Sequence, residues 1–84
     1  MSNPFGAERW EEVKSSNLAA VGSLGDWLIV RFKKNDLTYR YRGYADLFDD
    51  LVYTTSAGKL LNQEVLNNTK GEKLKGDDWP EEDL

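Results

Sequence analysis

The sequence predicts an α+β fold in which a small antiparallel sheet of three or four strands packs with two C-terminal helices. Two strand-like runs flank a turn within residues 27–42, which predicts a central hairpin. After Gly43 the apolar residues recur every three or four positions, as they do on one face of a helix. All strand-like runs precede the helical ones, which favours an antiparallel sheet over alternating β–α–β units.

The composition excludes most classes of enzyme. Hydrophobic residues make up 39% and aromatic residues 12% of the 84 positions, which is typical of one small globular domain. The chain contains neither cysteine nor histidine, so disulfides, thiol catalysis, histidine bases and the usual zinc ligands are excluded. We therefore expect a non-enzymatic protein with no cofactor and no metal site.

Three segments differ in composition. We expect a flexible arm over residues 1–9, an α+β domain over residues 10–67, and a polar, acidic, flexible tail over residues 68–84. No apolar run approaches the ~18 residues of a membrane span, and the N-terminus has no signal-peptide pattern. The sequence therefore predicts a cytoplasmic protein that does not contact membranes.

Four short runs have strand character. Residues 10–13 and 18–21 are the weaker two, while residues 27–32 are rich in β-branched and aromatic side chains. An Asn-Asp pair at residues 35–36 suits a two-residue hairpin turn, because both residue types tolerate positive φ. Residues 37–42 then form the returning strand.

Two helices are predicted after the hairpin. Residues 54–56 offer hydroxyl groups that can cap the start of the second one. The apolar positions of the first helix are Leu47, Phe48, Leu51 and Val52, and those of the second are Leu60, Leu61 and Val65. Each set lies along one helical face, which we expect to pack on the sheet.

The turn at residues 35–36 sets a hairpin register in which Phe32 faces Tyr39 and Val30 faces Tyr41. These four side chains then lie on the core side of the hairpin, where we expect both tyrosine rings to pack. On the opposite side the same register pairs two arginines and places a tryptophan across from a tyrosine. These pairs are Arg31 with Arg40 and Trp27 with Tyr44.

The opposite side of the hairpin combines basic and aromatic residues. Its candidate ligand-binding residues are Trp27, Arg31, Arg40, Arg42 and Tyr44. Guanidinium groups match phosphate oxygens, and aromatic rings supply stacking surfaces for bases, so we expect Arg40 to serve binding rather than stability. Residues 27–44 carry five cationic side chains against one carboxylate, in a chain whose formal net charge is −4. A phosphate-binding surface and a merely solvated basic face are both consistent with this pattern.

A second candidate site lies at the start of the second helix. Ser56 and Lys59 offer a hydroxyl and an ammonium group to an anion, near backbone N–H groups that a helix start leaves exposed. The alternative is structural, with Ser56 as a helix cap and Gly58 allowing close packing. Residues 15–17, Ser-Ser-Asn, likewise either bind a ligand or bond their own backbone at a strand bend.

Several of these segments resemble the KTSC domain, which is named after the C-terminal part of some lysyl-tRNA synthetases and also occurs alone in bacterial and phage proteins. They are Ser15-Ser16-Asn17 with Val21-Gly22, the strand 28–32, Tyr39-Arg40-Tyr41, and Ser56-Ala57-Gly58-Lys59 with Asn62. The resemblance covers roughly residues 10–66. It implies an α+β module without a known catalytic role, for which RNA binding has been suggested. The chain departs from the family at Ser23, where the family often has tyrosine, and in the acidic end that follows Val65.

We therefore expect a small non-enzymatic module that binds a phosphate-bearing nucleotide, such as a cyclic nucleotide signal. A free-standing protein that binds such a signal without converting it would act as a sponge, a role that would fit a phage protein in the host cytoplasm. Two alternatives stay open: a module that binds a short RNA, and a protein-interaction module that docks through Trp27, Ile29 and Trp79. Because the chain is short, we expect a homo-oligomer whose subunits enclose the ligand together.

Overall fold

Five strands form one antiparallel sheet in the computed structural model of the chain, which describes residues 3–76 and 79–80. Neighbouring strands are consecutive in the chain, so the sheet is a meander in the order β1-β2-β3-β4-β5. The strands are β1 (Arg9–Glu12), β2 (Leu18–Leu24), β3 (Trp27–Phe32), β4 (Thr38–Arg42) and β5 (Glu72–Leu74). The predicted α+β class is confirmed, with five strands instead of three or four.

Most of the helical segments lie between β4 and β5. They are a 3₁₀ turn (Ala45–Leu47), helix α1 (Phe48–Tyr53), helix α2 (Ala57–Leu61) and a π-helical turn (Asn62–Leu66) that continues α2. A further 3₁₀ turn, Pro4–Gly6, precedes β1. The two predicted helices are therefore present. No helix among the described residues is long and apolar enough to cross a bilayer.

The loop between β3 and β4 is longer than the sequence predicts. The Phe32 N–H donates to the Leu37 carbonyl at 2.8 Å, which encloses residues 33–36 instead of the predicted Asn-Asp pair alone. Asn35 Oδ1 accepts a hydrogen bond from Leu37 N at 3.2 Å, and Asp36 adopts a φ of 58°. The side-chain bond of Asn35 thus stabilises a wider turn, in which only Asp36 takes the left-handed conformation.

The wider turn shifts the hairpin register by two residues. Val30 faces Tyr39 and Leu28 faces Tyr41, so the predicted pairs of Phe32 with Tyr39 and of Val30 with Tyr41 are wrong. A shift of two residues preserves the side of the sheet on which each side chain lies. The predicted division of the hairpin into two faces is therefore retained.

One face of the sheet packs against the helices. Tyr41 is buried there, and Tyr39 meets Phe32 edge to face at 5.8 Å between ring centroids, which confirms that both tyrosines lie on the core side. The buried members of this helix-side core are Leu18, Val21, Leu28, Val30, Tyr41, Phe48, Leu51, Ala57, Leu61 and Val65. Their removal from water stabilises the fold by about 25 cal/mol per Å² of apolar surface.

The other face of the sheet carries a second, smaller core. Ile29 is fully buried there together with Phe5, Ala7 and Leu74. Partly buried side chains packed around them are Trp10, Leu24 and Trp79. This face is thus covered by apolar groups, where the sequence predicted a solvent-exposed surface.

The covering groups come from segments that the sequence predicted to be flexible. Phe5 lies in the predicted arm, residues 1–9, and β5 lies in the predicted tail, residues 68–84. An isolated apolar residue among polar neighbours shows no periodicity, so its burial leaves no sequence signal. The parts of the arm and tail at residues 1–2, 77–78 and 81–84 lie outside the described residues.

Tyr41 joins the helix-side core to the segment that leads into β5. It is 3% exposed, and its ring lies against Gly71, where an added Cβ would come within 2.5 Å of Tyr41 Cε1. Burial raises the pKa of the Tyr41 hydroxyl from 10.0 to about 12, and the nearby Tyr39 adds to the shift. The neutral form of Tyr41 is therefore the one that the fold stabilises.

We expect the free energy of unfolding to fall as the pH rises above 10. Tyr41 in the unfolded chain ionises near pH 10, whereas the folded protein holds that proton up to about pH 12. Each unit of difference in pKa corresponds to about 1.4 kcal/mol. Urea titrations at pH 8 and pH 11 would measure the fall in the wild type and in Tyr41→Phe, which lacks the ionisable hydroxyl. A fall of equal size in both proteins would contradict this role for Tyr41.

Candidate ligand-binding site

The structure divides the candidate residues from the sequence between the two sides of the sheet. Those that pack with the second core are Trp27, Arg31, Arg40 and Arg42, while Tyr44, Ser56 and Lys59 lie on the helix side. The single site that the sequence suggested is therefore two separate surfaces, which are described in turn.

Arg40 packs on two tryptophan rings, in an arrangement that we call the Trp–Arg–Trp stack (Trp27, Arg40 and Trp79). Its guanidinium carbon Cζ lies 4.1 Å from the centroid of the Trp27 ring and 4.7 Å from that of Trp79. The two rings meet edge to face, with 5.7 Å between centroids. Arg40 Nη2 donates to Glu72 Oε1 at 2.9 Å, and the Arg40 side chain is 8% exposed.

This environment corrects the prediction that Arg40 is a surface ligand for phosphate. A buried guanidinium that stacks on two indole rings and bonds a carboxylate stabilises the fold, with about 0.5–2 kcal/mol from each cation–π contact. Trp79 and Glu72 come from the polar tail, so the residues near Arg40 in the sequence do not predict these contacts. The alternation of β4 predicts the side of the sheet for Arg40, but it cannot predict what covers that side.

The other arginines of this face also contact indole rings. Arg42 Cζ lies 4.9 Å from the Trp27 centroid, and Arg31 Cζ lies 5.2 Å from the Trp10 centroid. Arg31 Nε donates to Thr38 Oγ1 at 3.1 Å, across the ladder between β3 and β4. The Trp27 ring thus already contacts the guanidinium groups of Arg40 and Arg42, which makes it a poor platform for a base.

Two predicted pairs on this face are wrong. Arg40 faces Ile29 and not another arginine, so the destabilising pair of like charges does not form. Trp27 faces Arg42, while Tyr44 is half-buried against the helix-side core. Because Ile29 is fully buried, it cannot form the exposed docking pair with Trp27 that the protein-interaction alternative needs.

A cavity of about 640 Å³ beside Trp27 has mixed charge. Its lining residues are Glu8, Leu24, Gly25, Asp26, Trp27, Arg42 and Trp79. Glu8 Oε1 accepts a hydrogen bond from Gly25 N at 2.7 Å, and Asp26 is exposed at the rim. Two carboxylates beside one guanidinium do not favour a phosphate group, so this cavity is a weak candidate for a nucleotide.

The helix side holds a cleft of a different character. Two adjoining cavities of about 500 and 320 Å³ share Asn17, Gly58 and Lys59 as lining residues, and we call this pair of cavities the lysine cleft. The larger is also lined by Leu18, Phe32, Lys34, Asn35, Leu61, Asn62 and Leu66, and the smaller by Lys14, Ser15, Ser16, Thr55, Ser56 and Ala57. Among the lining residues that the structure describes, none is an aspartate or a glutamate.

The turn between β1 and β2 forms one wall of the lysine cleft. Ser15 Oγ accepts hydrogen bonds from Asn17 N at 3.1 Å and from Leu18 N at 3.2 Å, so this serine does bond its own backbone at the bend. Lys33 donates from Nζ to the Ser15 carbonyl at 3.2 Å and from its backbone N–H to the Asn17 carbonyl at 2.8 Å. These bonds hold the hairpin loop next to the turn.

The start of α2 forms the opposite wall. Ser56 and Lys59 are exposed there, and Ser56 N donates to Thr54 Oγ1 at 3.2 Å. Ser56 occupies the N-cap position of α2, as the structural alternative predicted, but its side chain makes no capping hydrogen bond within the described part of the chain. An added Cβ at Gly58 would lie 3.0 Å from Asn17 Nδ2, so a glycine at this position lets α2 approach the turn closely, as predicted.

Residues that are far apart in the sequence converge at the lysine cleft. Segments 15–17 and 56–62, which the sequence analysis singled out independently, line the same space. Residues that it did not propose are Lys14, Phe32, Lys34 and Leu66. Single lysines in loops and a half-exposed leucine have no pattern of their own, and only the fold brings them together.

Asp49, in the first turn of α1, links the helix to Arg9 of β1. Asp49 Oδ1 accepts a hydrogen bond from Arg9 Nη1 at 3.0 Å, and Arg9 Cζ lies 4.2 Å from the centroid of the Phe48 ring. Within residues 3–76 and 79–80, no group of three or more Asp, Glu, His or Cys side chains is placed to hold a metal ion.

No family model, no curated protein and no solved structure matches the chain. The resemblance to the KTSC domain accordingly stays a prediction. The function is therefore inferred from the geometry and charge of the two surfaces.

Replacing Arg40 with alanine is expected to destabilise the protein by about 1–4 kcal/mol, because it removes two cation–π contacts of about 0.5–2 kcal/mol each. Arg42→Ala is the matched control, since Arg42 is an exposed arginine on the same Trp27 ring and a cation–π contact at an exposed site is worth about 0.5–1 kcal/mol. Guanidinium chloride titrations followed by tryptophan fluorescence would give both values. Equal losses for the two variants would contradict the stack as a stabilising element.

Proposed function

We propose that this protein is a non-enzymatic module that binds a small phosphate-bearing nucleotide in the lysine cleft. The observation that supports it is the combination of Lys14, Lys34 and Lys59 with hydroxyl groups and an apolar floor, without a carboxylate among the described lining residues. The whole chain carries a formal net charge of −4, so this concentration of positive charge is local.

The lysines provide the electrostatic part of the proposed affinity. A unit charge pair at 4 Å contributes about 1 kcal/mol in bulk water and about 4 kcal/mol at the effective dielectric constant of a protein surface. A cleft between two walls excludes part of the solvent, so its value lies between these limits. Lys59 lines both cavities and is therefore the cation with the widest reach over a bound ligand.

The apolar floor of the larger cavity provides the second contribution to the proposed affinity, contact with the base. Leu18 and Leu61 are buried beneath it, while Phe32 is partly exposed and Leu66 is 39% exposed. Contact between a base and an aromatic ring is worth about 1–3 kcal/mol. The carboxamides of Asn35 and Asn62, at the same cavity, suit the hydrogen-bonding edge of a base.

The alternatives from the sequence have less support. Docking of a protein through Trp27 and Ile29 relied on an open face, whereas Ile29 is buried and the Trp27 ring contacts Arg40 and Arg42. A short RNA would need the same phosphate and base contacts as a nucleotide, and the lysine cleft has room for one nucleotide in its two cavities. Binding without conversion would make the protein a sponge for its ligand. A homo-oligomer that joins two clefts would enclose the ligand further.

Lys59→Ala is expected to weaken nucleotide binding about tenfold, the equivalent of one charge contact of about 1.4 kcal/mol. Isothermal titration calorimetry would test a panel of nucleoside monophosphates, cyclic mononucleotides and cyclic dinucleotides. Lys70→Ala is the matched control, because Lys70 is an exposed lysine outside the lysine cleft. Both variants should unfold at the temperature of the wild type.

The same samples would test the absence of turnover. Ligand incubated with the protein and Mg²⁺ should be recovered unchanged by chromatography, as a sponge requires. Failure of every member of the panel to bind the wild type would overturn the proposed function, and conversion of a ligand would overturn its non-enzymatic part.

A further inference from the structure

The two cavities of the lysine cleft differ in chemistry as well as in volume. The smaller one, of about 320 Å³, is walled by four hydroxyl side chains and two lysines, whereas the larger, of about 500 Å³, has an apolar floor. The hydroxyl residues are Ser15, Ser16, Thr55 and Ser56. The boundary between the two is formed by Asn17, Gly58 and Lys59, which belong to both.

The hydroxyl groups of the smaller cavity are suited to donate to an anion. Ser15 Oγ accepts from two backbone N–H groups, so the hydrogen-bonding capacity that it can still offer is its O–H. Ser16 and Ser56 are exposed at the same cavity, and hydroxyl hydrogens rotate to suit an acceptor. Lys14 and Lys59 add two cationic groups. Two ammonium groups with hydroxyl donors match a dianion better than a monoanion.

On the basis of the proposed nucleotide binding, we propose that the lysine cleft selects a nucleoside with a terminal phosphate monoester over the cyclic diester of the same nucleoside. The monoester occupies the smaller cavity between Lys14 and Lys59, and the base lies on the floor of the larger cavity against Phe32 and Leu66. A terminal phosphate carries a charge of about −1.5 to −2 at pH 7 and projects away from the sugar. A cyclic diester carries a single charge and holds its phosphate against the sugar ring, so it cannot fill both cavities in the same way.

Asn17 is placed to contact the sugar. Its side chain lies against Gly58 at the boundary of the two cavities, where a nucleotide in this orientation has its ribose. The glycine keeps the two residues close, since an added Cβ would lie 3.0 Å from Asn17 Nδ2 and would displace this side chain by a few tenths of an ångström.

The pH dependence of binding separates a dianionic ligand from a monoanionic one. The second ionisation of a phosphate monoester occurs near pH 6. The charged groups that face the cleft are Lys14, Lys34 and Lys59, with Lys33 beside Ser15. The chain has no histidine, so between pH 5.5 and 7.5 the titrating group is the ligand phosphate.

The test compares a nucleoside 5′-monophosphate with the 3′,5′-cyclic monophosphate of the same nucleoside, by calorimetry on the full chain. We expect the wild type to bind the monoester about tenfold more tightly at pH 7.5, and to lose most of that preference at pH 5.5. Lys14→Met should remove the preference. Lys34→Met, a matched change in the larger cavity, should weaken the binding of both ligands equally and so keep the preference for the monoester. Leu66→Asn should also weaken both ligands alike.

The outcomes distinguish this inference from the proposed function. Equal or tighter binding of the cyclic ligand would overturn the orientation and leave nucleotide binding intact. If Lys34→Met loses the preference for the monoester and Lys14→Met keeps it, the phosphate lies in the larger cavity. That result would also overturn the proposed orientation. Absence of binding by both ligands in the wild type would overturn both proposals.

Discussion

Burial of the central strand on both of its faces is the constraint on which the rest of the structure depends. Leu28, Ile29 and Val30 are consecutive in β3 and have no exposed surface, although their side chains alternate between the two sides of the sheet. One side can be covered by α1 and α2. The side on which Ile29 lies needs its own covering groups, and these come from the segments before β1 and after the helices. Phe5, β5 and Trp79 therefore belong to the fold because Ile29 requires a partner.

The sequence predicts the parts of this fold that depend on local periodicity. In the strands, side chains alternate between faces every second residue, which predicts the hairpin and the two faces of β3 and β4. In the helices, apolar residues repeat every three to four positions, which predicts both helices. A register error of two residues at the Asn35 turn leaves that division intact, because side chains repeat every second position. The second core could not be predicted in this way. Phe5, Leu74 and Trp79 are single apolar residues in polar surroundings, and their packing with Ile29 joins segments far apart in the chain.

The two kinds of cationic side chain have separate roles, and their chemistry explains the division. Arginine has a planar, weakly hydrated guanidinium that stacks on aromatic rings, whereas lysine carries a compact and strongly hydrated charge. Arg31, Arg40 and Arg42 accordingly lie against indole rings on the second core, while Lys14, Lys34 and Lys59 line an aqueous cleft. The local excess of positive charge in residues 27–44 does not distinguish arginines from lysines, so it does not predict this difference. Of the residues that line the cleft, Ser56, Lys59 and the segment 15–17 were candidates from the sequence.

The Trp–Arg–Trp stack and the lysine cleft lie on opposite sides of β3. Side chains at odd positions of the strand, such as Trp27 and Ile29, belong to the second core and the Trp–Arg–Trp stack, whereas Phe32 reaches the lysine cleft on the helix side. The walls of the cleft come from segments far apart in the chain, and two hydrogen bonds from Lys33 hold the hairpin loop beside the Ser15 turn. The Trp–Arg–Trp stack shares no residue with the described lining of the cleft, so we expect loss of the stack to lower stability and loss of Lys14, Lys34 or Lys59 to lower the positive charge of the cleft. A variant that changes ligand affinity but not stability thus reports on the cleft. A variant that changes stability but not affinity reports on the second core.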